Sequence, residues 1–378
     1  MTCYSVTATV RTPLAMCLSK AAGNDLDTAR TIPGSAIRGA LAHQFLGGDA
    51  RRAASAPFRE MFLDGGLRFG DLRLNGHDVW PFSARSCKAD PAGHPVGDVL
   101  FATAVRRMAG PECLFGECGA KLEVPRGWRF ETAKGFEFPQ VRTRRIAHAE
   151  IDIETDASRS GNFHSSRVIC VDQRFDGRVW ISTPTAGKGL KDLVGGGREL
   201  YLGRGRSRGQ GRVGFRLLGE PQTLSSDLTQ RVEEFNRGAA VRFPELQRWA
   251  LFSCLLQSPC VVYDRWLMSR ICLCAEDFGA ELKGYTPITW SSRAVTVSGW
   301  HSAAGLPKPD MTGIAPGSCW LFGKEIEAKG RADEIRRIGP LLGAAESRGI
   351  GERLAEGFGE VAFCDPFHWK HAIQGDAE

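Results

Sequence analysis

The first patterned stretch of the chain, YSVTATVRTPL at 4 to 14, alternates: Tyr4, Val6, Ala8 and Val10 fall on one side, Ser5, Thr7, Thr9 and Arg11 on the other. A period of two predicts a strand with one face in a core and one in water. After the polar AGNDLDTART the period changes. In IPGSAIRGALAHQFLGG, Ile37, Leu41 and Phe45 recur at fourfold spacing, Ser35 is the candidate cap and Gly47-Gly48 the stop, which predicts a helix. GLRFGDLRLNG (66 to 76) predicts a second strand ending in a turn, and SRVICVDQRFDGRVWISTP (166 to 184) a hairpin turning at Asp176-Gly177. Strands and helices alternate without the regular period of a wound parallel sheet, so an α+β sheet domain is expected.

The pattern then repeats. PQTLSSDLTQRVEEFNRGA is a polar crossover into a helix and sets a domain boundary near residue 221, giving units 1–220 and 221–378. The second unit carries strand patterns at RWLMSRICLC and GSCWLFGKEI, an amphipathic helix at ADEIRRIGPLLGAAES and a closing strand at GFGEVAF. GQGRVGF (209 to 215) and GFGEVAF (357 to 363) match at both glycines, the valine and the final phenylalanine, which suggests an internal duplication. Two small sheets, each with helices on one face, suggest a tandem ferredoxin-like arrangement, the geometry that RNA-recognition modules use.

Charge adds a location for function. The 378 residues carry a net charge of +6, too little to make the whole surface a polyanion partner, so a nucleic-acid surface should be local. YLGRGRSRGQGRVGF (201 to 215) is the place: Arg204, Arg206, Arg208 and Arg212 stand among Gly203, Gly205, Ser207, Gly209 and Gly211 without an acidic residue. Glycine permits positive φ and close backbone approach, and each guanidinium is a planar fork suited to phosphate oxygens. The spacing matches neither GxGxxG nor the P-loop, which excludes the common nucleotide sites. A helix starting at Gly34-Ser35, with Arg38 one turn on, would offer N–H groups to a phosphate, and the loop lying across it would complete a cradle. RTRR, with Arg142 and Arg144, is a secondary candidate. No stretch approaches the roughly 18 apolar residues of a membrane span and the N-terminus lacks a signal pattern, so a cytoplasmic protein with no membrane partner is expected.

IPGSAIRGALA, YLGRGRSRGQGRV and GERLAEGFGEV together resemble the recurring motifs of the RAMP superfamily, the CRISPR-associated RNA-binding proteins of type III effector complexes. The resemblance runs nearly end to end and is most like the type III-D subunit at the crRNA 5′-handle end. It implies two ferredoxin-like domains and a role in antiviral defence. The implied partners are crRNA, neighbouring RAMP subunits, the large polymerase/cyclase subunit and, indirectly, target RNA. Backbone members of the superfamily cleave target RNA through an aspartate in a flexible loop, which makes Asp25 and Asp27 the catalytic candidates of the alternative reading, an endoribonuclease.

Residues 76–135, rich in Gly, Pro and Cys, are expected to form an insertion in the first domain. Cys87, His94, Cys113 and Cys118 are soft or borderline ligands that could hold one structural zinc ion, although CxxxxC is a weaker signal than CxxC; unliganded cysteines are the alternative. His43, His148 and His164 are acid–base candidates, with a structural or RNA-contacting role as the competing assignment. Asp152, Glu154 and Asp156 alternate as an exposed strand face would.

Overall fold

The computed structural model describes residues 2–16, 25–107, 112–148, 164–224, 227–301 and 304–374. The N-terminal alternation becomes β1 (Thr2–Val10), with Tyr4, Val6, Ala8 and Val10 buried as the pattern requires. In α1 (Gly34–Leu46), Ile37 and Leu41 are buried and Gly47 ends the helix at φ 56°. Its start differs from the expectation. Pro33 is the N-cap residue and the Ser35 hydroxyl makes no capping bond. The Asp71 carboxylate reaches in from elsewhere and accepts the Gly34 N–H at 2.9 Å, so the helix begins earlier than Ser35 would dictate.

β2 (Leu67–Phe69) and β3 (Arg174–Ile181) follow, separated by the insertion. The hairpin turn expected at Asp176-Gly177 is not there: these two residues lie inside β3, opposite Thr7 and Val6 of β1. The chain turns instead at Val171-Asp172, where Asp172 adopts φ 60°. Gly177 serves packing, since a Cβ there would stand 2.9 Å from the Asp71 carbonyl oxygen. α2 (Pro184–Val194), β4 (Arg198–Tyr201) and β5 (Arg212–Thr223) complete the first unit. Its sheet runs β4-β5-β1-β3-β2 with every pair antiparallel. The inward face meets Leu41 of α1 and Leu190 and Val194 of α2 in one core.

The second unit comprises α3 (Thr229–Arg242), β6 (Trp249–Leu256), β7 (Thr286–Ser291), β8 (Cys319–Glu325), α4 (Ala328–Arg348) and β9 (Val361–Phe363). Its sheet runs β7-β8-β6-β9, again antiparallel. With β4 set aside as an added edge, both sheets have one order: β5-β1-β3-β2 and β9-β6-β8-β7 each read fourth, first, third, second in the unit's own chain order. The α+β class therefore holds. The strand expected at RWLMSRICLC shrinks to a two-residue pairing of Val262–Tyr263 with Ser269–Arg270. Asp264 Oδ1 accepts the N–H groups of Trp266 (2.8 Å) and Met268 (2.9 Å), which curls the run into a turn and leaves Trp266, Leu267 and Met268 exposed.

The insertion folds around short strands, Ala84–Cys87 between Gly97–Asp98 and Leu122–Glu123. It has a small core of its own, in which Trp80, Ala84, Val96 and Phe136 close on Phe367 from the C-terminal segment. Polar contacts fasten the same junction. Arg129 grips Asp365 with two bonds (2.6 and 3.1 Å), and His368 Nδ1 lies 3.2 Å from Asp98 Oδ2 with both side chains fully buried.

Candidate functional site

Each sheet unit builds the same loop from the same backbone bonds. In the first, Arg204 N donates to Ala15 O (3.0 Å), Gly211 N to Pro13 O (2.9 Å), Leu202 N to Gly211 O (2.8 Å) and Arg212 N to Thr12 Oγ1 (2.9 Å). In the second, Glu352 N donates to Val261 O (2.9 Å), Gly359 N to Pro259 O (2.8 Å), Ile350 N to Gly359 O (3.0 Å) and Glu360 N to Ser258 Oγ (2.9 Å). The glycines are required at these closures: a Cβ on Gly203 or Gly211 would stand 2.1 Å from a carbonyl oxygen, and one on Gly359 1.8 Å. All three have positive φ, between 69° and 83°. The segments Thr12-Pro13 and Ser258-Pro259 thus clamp loops 202–213 and 350–361. That hydroxyl-proline pair, repeated in VRTPLA and LQSPCV, was a readable signal that motif reasoning missed.

The side chains on this common backbone differ in sign. Arg204, Arg206, Arg208 and Arg212 correspond to Glu352, Leu354, Glu356 and Glu360. The four arginines are exposed. Among the described residues Arg204, Arg206 and Arg208 have no carboxylate partner, and Arg212 has only Glu199 at 3.8 Å. The second loop is used internally. Glu356 accepts from Lys308 (2.9 Å) and Arg353 (2.6 Å), Arg73 of the first unit spans Gln257 (2.6 Å) and Glu360 (3.5 Å), and a Cβ on Gly357 would stand 2.5 Å from Phe69 O. The corresponding Gly209 has nothing within 4 Å.

The expected cradle of α1 and the first loop is not what the fold builds. The start of α1 faces the second loop, where a Cβ on Gly34 would stand 1.9 Å from Phe69 O and 3.0 Å from Glu356 O. The positive helix end is already matched by Asp71, whose carboxyl burial pushes up to about 7 despite the Gly34 N–H bond that lowers it. Arg38 is also committed, its fork donating to Phe62 O. Ser35 and Arg38 therefore stand apart from the arginine loop. Arg142 and Arg144 lie by a hairpin that adjoins the clamp segment. Both are exposed, with Arg144 in the edge strand Thr143–His148, which pairs with His164–Ile169. Ile169 bridges Leu14 on one side of the clamp segment while Ala15 bridges Arg204 on the other. Asp25–Leu26 pairs with Ser165–Ser166, so the aspartate segment adjoins the same hairpin. Asp27 accepts the Thr28 N–H at 2.8 Å and lies 3.6 Å from Arg167 and 3.9 Å from Arg30. His148 and His164 are register partners, and His43 is exposed near the end of α1. Asp152, Glu154 and Asp156 fall outside the described residues.

The insertion brings Cys87, His94, Cys113 and Cys118 together, with their ligand atoms all within 4.8 Å of one another, a group that could hold a metal ion. Cys87 ends a strand and the turn after it returns Asp90 N–H to its sulfur (3.4 Å), the main reason its thiol is lowered to about 6. Cys113 Sγ accepts the Phe115 N–H at 3.4 Å and lies 3.4 Å from His94 Nδ1, while Cys87 and Cys118 sulfurs are 3.7 Å apart. Burial pushes the Cys113 thiol up. His94 is set in orientation by stacking on Phe115 at 4.8 Å.

No family model matches the chain, and no curated protein matches it. Among solved structures it is similar to a chain of the type III-B Cmr-beta complex bound to cognate target RNA and AMPPnP (TM-score 0.43, 12% identity, 84% of this chain and 86% of that one). It is also similar to a chain of Cmr-beta in the apo state (TM-score 0.36, 10% identity, 58% and 98%) and to oligomeric Cmr4 from Pyrococcus furiosus (TM-score 0.29, 14% identity, 58% and 98%). No helix among the described residues is long and apolar enough to cross a membrane.

Proposed function

We propose that this protein is a non-catalytic crRNA-binding subunit of a type III CRISPR effector ribonucleoprotein. In this reading it is most like the type III-D RAMP subunit that holds the 5′ handle and contacts the large polymerase/cyclase subunit. One observation carries the reading. A single backbone clamp occurs twice, and the copy packed against the first unit carries glutamate at three of the four positions where the exposed copy carries arginines, of which Arg204, Arg206 and Arg208 have no carboxylate partner among the described residues. Exposed, uncompensated guanidinium groups on a rigid loop suit a polyanionic backbone, which they would hold in position without reading its bases. The shared strand order supports two tandem ferredoxin-like domains, 1–220 and 221–378, the boundary falling in the last residues of β5.

The cysteine cluster fits a structural zinc. Tetrahedral Zn–S bonds of about 2.3 Å set sulfurs about 3.8 Å apart, against 3.7 Å between Cys87 and Cys118. Cys87, His94, Cys113 and Cys118 would be its four ligands, a closed set that ties the insertion together and leaves no open position for chemistry.

The test is crRNA retention by the assembled complex, and binding of single-stranded RNA by the full chain, at several salt concentrations. Arg204→Ala with Arg206→Ala should weaken both and flatten the log–log salt slope by about 1.4, at roughly 0.7 per phosphate contact. Unchanged affinity and slope would refute the loop's role.

A further inference from the structure

We propose that the solvent face of the first sheet, from Tyr201 on β4 across β5 and β1 to β3, is a second contact surface for single-stranded RNA, continuous with the arginine loop, with Tyr201 as a base-stacking platform. The inference rests on the RNA reading of that loop and extends it to a new set of residues.

Register defines the face. Directly opposed residues of an antiparallel pair share one side of a sheet, and β1 places Thr9 opposite Gly214 and Arg174, and Thr7 opposite Arg216 and Asp176. Tyr201 is opposite Arg212, and the Arg11 N–H donates to Arg212 O. The outward face therefore holds Tyr201, Arg212 and Arg11 in one row, Arg174 in the next, opposite Thr9, and Arg216 in the one after, opposite Thr7. Glycines let two of these arginines lie flat. A Cβ on Gly214 would stand 3.4 Å from Arg11 Nε, and one on Gly197 3.1 Å from Arg216 Cγ.

The charge is not balanced. Arg174 pairs with Asp176 at 2.8 Å and Arg212 with Glu199 at 3.8 Å, but among the described residues Arg11 and Arg216 have no carboxylate partner. Thr7 Oγ1, between Arg216 and Asp176, is buried without a hydrogen-bond partner. Tyr201 is 51% exposed on the edge strand of the sheet. The second sheet supplies the contrast: β6 is buried at every position from Ala250 to Leu256, so its two faces are both covered. In the first sheet the outward arginines Arg174, Arg212 and Arg216 are exposed and Thr9 on the central strand is half-buried, and this face begins where the loop ends. Guanidinium groups beside an exposed ring are what a sequence-tolerant single strand requires, the charges meeting phosphates and the ring a base.

The experiment measures binding of a fluorescein-labelled oligouridine to the full chain by anisotropy, at several salt concentrations, with thermal unfolding as the check on folding. All substituted side chains are exposed, so the variants should fold. Arg11→Ala with Arg216→Ala should flatten the salt slope by about 1.4, and Tyr201→Ala should cost about fivefold or more in affinity at unchanged slope, with Tyr201→Phe binding as the parent does. If these variants match the parent while Arg204→Ala with Arg206→Ala weakens binding, the sheet surface is refuted and the loop reading stands. If the sheet variants weaken binding and the loop variant does not, the loop reading fails and the surface stands. Parental binding by all of them refutes both, and a Tyr201→Phe loss equal to that of Tyr201→Ala refutes the stacking role.

Discussion

Replacing Arg129 by methionine should destabilise the protein more than any surface change, and in a pH-dependent way. Arg129 belongs to the insertion and Asp365 to the C-terminal segment; they share bonds of 2.6 and 3.1 Å, and both side chains are less than a tenth exposed. Solvent screening therefore offers little relief. Methionine keeps most of the aliphatic stem but removes the guanidinium that stands 5.2 Å from the Phe367 ring centroid, and leaves Asp365 buried with His368 and the Phe367 N–H (2.9 Å) as its compensation. Removing one partner of such a pair costs about 3 to 5 kcal/mol, a large share of a stability of roughly 5 to 15 kcal/mol. The sign with pH follows from Asp365. In the parent its carboxyl is held below the usual range, burial raising it and Arg129 more than offsetting that, so its contribution is present above the unfolded pKa and lost as pH falls through the folded one. In Arg129→Met burial is opposed only by His368 and the Phe367 N–H, the pKa rises, and the penalty is greatest at neutral pH and shrinks on acidification. Urea unfolding followed by tryptophan fluorescence at pH about 7 and about 4.5 reads both effects. Asp365→Asn in the same chain should recover most of the loss. A neutral-pH loss below about 1 kcal/mol, or one that does not shrink in acid, would show that the junction does not depend on this pair.

Three further outcomes are expected. Protein purified without chelator should carry about one zinc per chain and Cys118→Ser much less; under about half an equivalent in the parent counts against the site. Gly211→Ala, with φ 83° and a carbonyl oxygen 2.1 Å from the new Cβ, should break the loop and RNA binding together, whereas Gly209→Ala, at φ 76° with open space around it, should cost only about 1 to 2 kcal/mol. Complementary RNA incubated with the assembled complex should give the same products for the parent, Asp25→Ala and Asp27→Ala; disappearance of a discrete product in either variant would replace the scaffold reading by the endoribonuclease one.

Local pattern was sufficient for much of this molecule. The alternation of β1, the apolar face of α1, the four metal-ligand candidates and the glycine-arginine loop were all legible, because each depends on neighbours in sequence: side-chain period, turn chemistry, residue type. The failures share a cause as well. Asp176-Gly177 has the composition of a turn but is held straight by β1 on one side and Asp71-Leu72 on the other. Ser35 has the chemistry of a cap but is displaced by a carboxylate from residue 71, and RWLMSRICLC has the composition of a strand but is curled by Asp264.

The sequence alone determined that two related units exist, that each ends in a glycine-closed loop, and that their loops differ in charge. It could not say which loop faces water, because that depends on how the units meet: Arg73 and Phe69 of one unit cover the second loop, and among the described residues nothing comparable lies against Gly209. Nor could it say that α1 turns its positive end toward Asp71 and the glutamate loop and not toward the arginines. Exposure is a property of the packed chain, and only tertiary packing separated the loop left open from the loop half-buried against the first unit.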